Sequence, residues 1–206
     1  MDDGMAITLF RHGLTEENER RAYIGWMDSP LSILGKTQLR STNDIYDFVI
    51  TSDLKRCLET ANRLFPDLPN ESIFELREMN FGRWEGKTYE QLKGNREYKE
   101  WLQNPFEVKP PDGESFQEFT NRVDHGWHKI IEKVRMNHFT NIAIVTHGGV
   151  IRYLLSSISN EKKGFWDWPV THGNGYKLAW ESKDAFRRGQ ACTLLQEVLL
   201  TVRKNG

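Results

Sequence analysis

Two histidines and two arginines stand where short apolar runs stop. Arg11-His12-Gly13 ends the run at residues 6–10, and His147-Gly148-Gly149 ends the run at 141–146. Arg56 lies just beyond Ser52-Asp53, which ends the run at 48–51. A neutral imidazole can act as a nucleophile. A second imidazole, if protonated, can steady negative charge on a group in transfer. Guanidinium forks match the oxygens of phosphate or carboxylate. Gly13 and Gly148 would let backbone approach such a ligand closely. Each signal alone is weak, because a lone histidine at a strand end is more often a hydrogen-bonded loop residue. Their ordered combination points to transfer of an anionic group.

The surrounding elements must bring these residues together. The three apolar runs are short and β-rich, as buried strands are. The segments after them look helical. Residues 53–64 place Leu54, Cys57, Leu58, Ala61 and Leu64 near helical spacing, with Ser52 or Asp53 as the expected N-cap. Residues 149–157 open as an apolar helix. Residues 115–136 carry Phe116, Phe119, Val123, Trp127, Ile130, Ile131 and Val134 at three- and four-residue steps, which predicts a long amphipathic helix. Gly113-Glu114-Ser115 is expected to turn the chain and cap that helix. Residues 176–180 and 193–202 read as further strands, with Asn174-Gly175 as a turn. Strands alternating with helices predict an α/β fold with a mostly parallel sheet. In such sheets ligands bind outside the carboxyl ends of the strands, where His12, Arg56 and His147 would meet. Residues 80–113, rich in Trp, Tyr, Gly, Pro and charge, read as a small helical cap within a single domain covering 1–206.

Bulk properties narrow the classes. The 206 residues carry a net charge of −1, so no global basic field attracts nucleic acid. No stretch approaches the roughly 18 continuous apolar residues of a membrane span. Residues 1–10 are too short and acidic for a signal peptide, and a cytoplasmic protein with free thiols is the expectation. Cys57 and Cys192 belong to no CxxC pair, so structural zinc is not expected; a bond between them has no support in the pattern. His125 and His128 sit three apart, but Gly126 and the lack of a carboxylate partner argue against a metal site. They and His138 fall in the long helix region and are read as non-catalytic. Trp84, Trp101, Trp166 and Trp168 are read as packing residues. Arg187-Arg188 is read as a solvated surface, and residues 165–169 either pack internally or form an interface.

Six blocks in order resemble the histidine phosphatase, or phosphoglycerate mutase-like, superfamily. Arg11-His12-Gly13-Leu14-Thr15-Glu16-Glu17-Asn18 is similar to its RHGxTxxN signature. Gly25 to Gly35 looks like GxxDxPLxxxG, and Ser52 to Ala61 looks like SxLxRxxxTA. Leu76 to Gly86 resembles LxExxxGxWEG. Pro111-Asp112-Gly113-Glu114-Ser115 is similar to PGGES, with Asp112 in place of a glycine. Thr146-His147-Gly148-Gly149 matches the second histidine block. The resemblance spans about residues 7–180 and implies a three-layer α/β/α fold.

It also implies roles. His12 would be the nucleophile that carries the phosphoryl group. Arg11, Asn18, Arg56 and His147 would bind its oxygens. Glu78 would protonate the leaving alcohol and then activate water. No metal ion and no cofactor would be needed, because the arginines and second histidine supply positive charge. The substrate would be a small phosphorylated metabolite, and the protein a monomer or homodimer. Arg21-Ala22-Tyr23-Ile24-Gly25 and Arg56-Cys57 look most like the α-ribazole 5'-phosphate phosphatase branch. Ile24 and Leu14 replace polar residues frequent in other members. The segment between Gly35 and Asp53 looks short for the family. Alternatives are a phosphoglycerate mutase, which would carry a longer basic insertion between Glu78 and His147, and a non-catalytic phospho-ligand binder.

Overall fold

Register within one sheet decides where the chemistry-bearing residues meet. The computed structural model describes residues 4–200. Its strands are β1 (Met5–Arg11), β2 (Phe48–Thr51), β3 (Asn70–Ser72), β4 (Asn141–Thr146), β5 (Gly175–Trp180) and β6 (Leu194–Val198). They form one sheet in the order β3-β2-β4-β1-β5-β6. The first four run parallel, and β5 joins β1 antiparallel. β6 pairs antiparallel with β5. Arg11 is opposite Thr146 in the β1–β4 ladder. His12 and His147 therefore leave the sheet side by side, although far apart in sequence. Thr51 pairs with Val145, so Ser52 leaves at nearly the same level.

Both faces of this sheet are covered, which is why its strands read as continuous apolar runs rather than alternating ones. Leu9, Ile50 and Ile144 point into one core, which α6 (Phe116–Met136) and α7 (Gly148–Ile158) close with Phe119, Val123, Val150 and Ile151. Phe10, Val49 and Val145 point into the opposite core, closed by Cys57, Ala61 and Leu64 of α3 (Lys55–Leu64). The result is the α/β/α arrangement expected. Cys57 and Cys192 are free and lie in opposite cores.

Two shorter helices, α1 (Glu16–Glu19) and α2 (Ile33–Gln38), follow β1. The brevity of α2 agrees with the short segment seen in the sequence. Residues 80–113 contain a 3-10 turn at Gly82–Trp84, then α4 (Tyr89–Leu92) and α5 (Arg96–Gln103). Trp84, Leu92, Tyr98 and Trp101 pack there as a separate small core. Asp112 has φ +59°. Its position takes the left-handed backbone that glycine adopts freely and Asp tolerates. Ser115 caps α6 in a reciprocal box with Glu118, as expected. The last helix is α8 (Lys183–Arg187).

Three expectations need correction. The N-cap of α3 is Leu54, without a side-chain cap bond. Asp53 is instead committed to a two-pronged pair with Arg77, both contacts at 2.7 Å, and the Ser52 hydroxyl contacts His147. His138 lies beyond the end of α6 rather than within it. The final strand spans only Leu194–Val198 of the expected 193–202, of which Thr201 and Val202 fall outside the described residues.

Candidate active site

The ends of β1, β4 and β2 deliver His12, His147 and, through the start of α3, Arg56 to one hollow. The two imidazole rings have centroids 5.1 Å apart. His12 is 3 % exposed, and His147 and Arg56 are fully buried. His12 Nδ1 lies 2.7 Å from the Gly13 carbonyl oxygen. A carbonyl can only accept, so Nδ1 carries the proton and Nε2 keeps its lone pair. Gly13 N–H in turn donates to Thr60 Oγ1 at 3.0 Å, which fixes the loop. Arg56 Nε donates to His147 Nδ1 at 3.3 Å, so the proton of neutral His147 sits on Nε2, 2.9 Å from Ser52 Oγ. The remaining Arg56 nitrogens donate to the carbonyls of Met27 (2.8 Å) and Gly25 (2.6 Å).

Among the described residues neither Arg11 nor Arg56 meets a carboxylate, unlike Arg77 with Asp53 and Arg122 with Glu114. Arg11 donates through Nη1 to the Val170 carbonyl at 2.6 Å, and its buried Nε has no hydrogen-bond partner among the described residues. Burial lowers the Arg11 guanidinium to about 10, against the opposing pull of Glu78. Buried cations without counter-ions are costly unless an anion arrives. Burial, reinforced by Arg56 and the other nearby cations, holds His12 far below the usual imidazole value. His147 is lowered for the same reasons. The neutral form is therefore favoured on both rings near neutral pH.

Glu78 enters from the loop before the small aromatic core. Its Oε2 accepts from Gly149 N–H at the start of α7 (2.9 Å), and its Oε1 from Met79 N–H (3.0 Å). A Cβ on Gly149 would lie 2.2 Å from Oε1. Gly149→Ala should therefore push the carboxyl aside while leaving the α7 backbone intact. Expected is about a tenfold or larger fall in kcat with little change in melting temperature, read by steady-state kinetics and circular dichroism. Arg122 anchors the loop beneath: it donates to the carbonyls of Glu75 and Arg77 (both 2.9 Å) and Glu78 (3.1 Å) while paired with Glu114. Glu85 accepts from Trp26, Met27 and Phe81 N–H groups and so holds the loop whose carbonyls meet Arg56.

Beside Glu78 and Gly149 opens a cavity of about 450 Å³, walled by Phe81, Trp101, Phe106, Phe116, Phe165 and Trp166 among others. Trp101 and Trp166 thus line a cavity rather than serve packing alone, whereas Trp84 and Trp168 are buried as expected. Arg152 also lines it, with its guanidinium carbon 5.9 Å from the Trp166 ring centre. Asn18 lies in α1, where its side-chain oxygen accepts from Thr15 N–H at 3.2 Å; among the described residues no bond ties it to His12 or the arginines. His125 is two-thirds exposed at 67 % and His128 bonds its own helix, so both stay outside the hollow. Among the described residues no three His, Cys, Asp or Glu side chains gather as a metal site, and no helix is long and apolar enough to cross a membrane. Two side chains escaped the sequence reading. Arg152 follows the second histidine block by three residues. His172, in the turn before β5, has its ring centroid 5.4 Å from that of His12.

Comparison with known proteins bears on this arrangement. The family model of the histidine phosphatase superfamily (branch 1) matches residues 7–188. The chain is 31 % identical over 179 residues to the adenosylcobalamin/alpha-ribazole phosphatase of Escherichia coli (strain K12), across 82 % of this chain and 87 % of that one. The crystal structure of the alpha-ribazole phosphatase from Shigella flexneri superposes with a TM-score of 0.79 at 28 % identity, covering 98 % of both chains. That of phosphoglycerate mutase from Thermus thermophilus gives 0.70 at 29 % identity, covering 95 % of this chain and 99 % of the other. The fold, the paired histidines and a match over most of the length agree: the chain belongs to the histidine phosphatase superfamily.

Proposed function

We propose that this protein is a metal-independent phosphomonoesterase that works through a phosphohistidine on His12. The observation that carries the reading is a pair of guanidinium groups, Arg56 buried and Arg11 half-buried, without a carboxylate partner among the described residues, set around a neutral imidazole of fixed tautomer. The pocket has positive charge in want of an anion, and a lone pair placed beside it. His12 Nε2 attacks phosphorus, and the bond to the ester oxygen breaks. Arg11, Arg56, Asn18 and His147 stabilise the non-bridging oxygens. Glu78 gives its proton to the leaving alkoxide. It then takes a proton from water, which attacks the phosphohistidine, frees inorganic phosphate and restores His12.

The aromatic cavity adjoining Glu78 is where the alcohol half would lie. Its walls suit a flat apolar body better than a small carboxylate-bearing sugar acid. This favours a substrate such as α-ribazole 5'-phosphate, an aromatic-base riboside phosphate, over phosphoglycerate. The absence of a long basic segment between Glu78 and His147 in the sequence points the same way, toward water rather than a second metabolite as acceptor. The test begins with p-nitrophenyl phosphate in the presence of EDTA, where full activity is expected. Parallel assays with α-ribazole 5'-phosphate and with 3-phosphoglycerate plus bisphosphoglycerate primer should show hydrolysis of the first and no interconversion of the second. Interconversion would make the protein a mutase. Binding without turnover of any phosphate ester would make it a phospho-ligand binder.

A further inference from the structure

We propose that His172 is a third imidazole of the phosphate pocket, donating from Nε2 to a non-bridging oxygen of the phosphoryl group on His12. The proposal rests on the phosphomonoesterase reading and adds a ligand from an element that none of the six sequence blocks contains. His12 has two imidazole neighbours at almost equal range, His147 at 5.1 Å and His172 at 5.4 Å between ring centroids. They differ in what their nitrogens meet. Both nitrogens of His147 are engaged, by Arg56 and Ser52. His172 Nε2 is buried and has no hydrogen-bond partner among the described residues, and the same is true of Arg11 Nε. Buried polar atoms are nearly always satisfied by protein, water or ligand. Two such atoms on groups around one nucleophile mark where an oxygen-rich ligand belongs.

The loop that carries His172 is fastened to the nucleophile's own strand. Gly173 N–H reaches the carbonyls of Arg11 (3.0 Å) and His12 (3.2 Å). Arg11 N–H donates back to the Asn174 carbonyl at 2.9 Å. Gly173 has φ +75°, a turn geometry that glycine accepts without strain. The imidazole is thus fixed relative to His12 by backbone bonds rather than by its own contacts. A neutral ring protonated on Nε2 supplies a directed donor without adding a further positive charge to a pocket that already holds Arg11, Arg56 and, nearby, Arg152. That is a reason for an imidazole here instead of another guanidinium.

Orthovanadate, which adopts the geometry of the transferring phosphoryl group, is the probe. Its inhibition constant against p-nitrophenyl phosphate hydrolysis should rise about tenfold or more in His172→Ala, the loss expected for one hydrogen bond to a charged group. His172→Gln, whose amide nitrogen can stand near the place of Nε2, should recover most of that loss, with both variants melting near wild type. An inhibition constant within about twofold of wild type in His172→Ala would overturn the assignment. So would equal losses in the Ala and Gln variants. Should His172→Ala fail to fold, nitrogen-15 spectra of the wild-type imidazoles decide: the Nε2 resonance of His172 should move on adding vanadate, and an unmoved resonance would end the proposal. A wild-type protein that neither turns over the ester nor binds vanadate would instead end the phosphomonoesterase reading itself.

Discussion

His12→Ala should abolish turnover, by about four orders of magnitude or more, while the fold persists. The side chain is buried, but among the described residues its one hydrogen bond is to the neighbouring Gly13 carbonyl. The backbone of the segment is held independently, by His12 N–H on the Thr146 carbonyl and Gly13 N–H on Thr60. Loss of the ring therefore removes a nucleophile without unfastening a strand. In the wild type, acid-unstable phosphoryl label should be trapped on the protein when turnover is quenched in base. The same label on His12→Ala would place the nucleophile elsewhere, and His147 would be the next residue to examine.

Glu78→Gln gives the second large effect, and it depends on the leaving group. Alkyl phosphates, whose alkoxide needs a proton, should lose about 100-fold or more in kcat. p-Nitrophenyl phosphate, which departs as a stabilised phenolate, should lose about tenfold at most. Part of even that smaller loss has a structural origin. Glu78 accepts from two backbone N–H groups, Gly149 and Met79, one on each oxygen. A carboxamide can satisfy only one and turns its NH2 toward the other. Comparison with Gly149→Ala separates the two causes, since that change displaces the carboxyl without replacing it. Equal losses of both ester types in Glu78→Gln would take the residue out of the acid role.

Much of this site could be read in advance for a physical reason. Strands buried on both faces must be apolar throughout, so residues 6–10, 48–51 and 141–146 announce themselves, and the polar residues that follow must lie at strand ends. Once β1 and β4 pair in parallel, the meeting of His12 and His147 follows. The start of α3 was misplaced because Asp53 looked like a cap by type alone. Its commitment to Arg77, 24 positions away, is a tertiary contact that local pattern cannot show. His172 was invisible for a similar reason. It lies on no periodic element, and its importance comes from two backbone bonds to the end of β1. The aromatic cavity was hidden because its walls come from separate stretches, with Phe106, Phe116 and Phe165 meeting only in space. Trp101 and Trp166 then read as ordinary packing.

Three imidazoles held unprotonated in one buried hollow have a consequence for how the protein tolerates acid. His12, His147 and His172 all lie far below the value they would have in an unfolded chain. The unfolded chain therefore binds protons that the native state refuses, starting near pH 6.5 and continuing downward toward the depressed native values. Stability is full above that point and drains away below it. With all three rings involved, the slope reaches about 4 kcal/mol per pH unit. Melting temperature should fall steeply between roughly pH 6.5 and 5. His12→Ala, one ring fewer, should show a gentler fall, and an occupying oxyanion should oppose it. A catalyst built this way is suited to near-neutral surroundings, and its acid limit is set by the same rings that make it reactive.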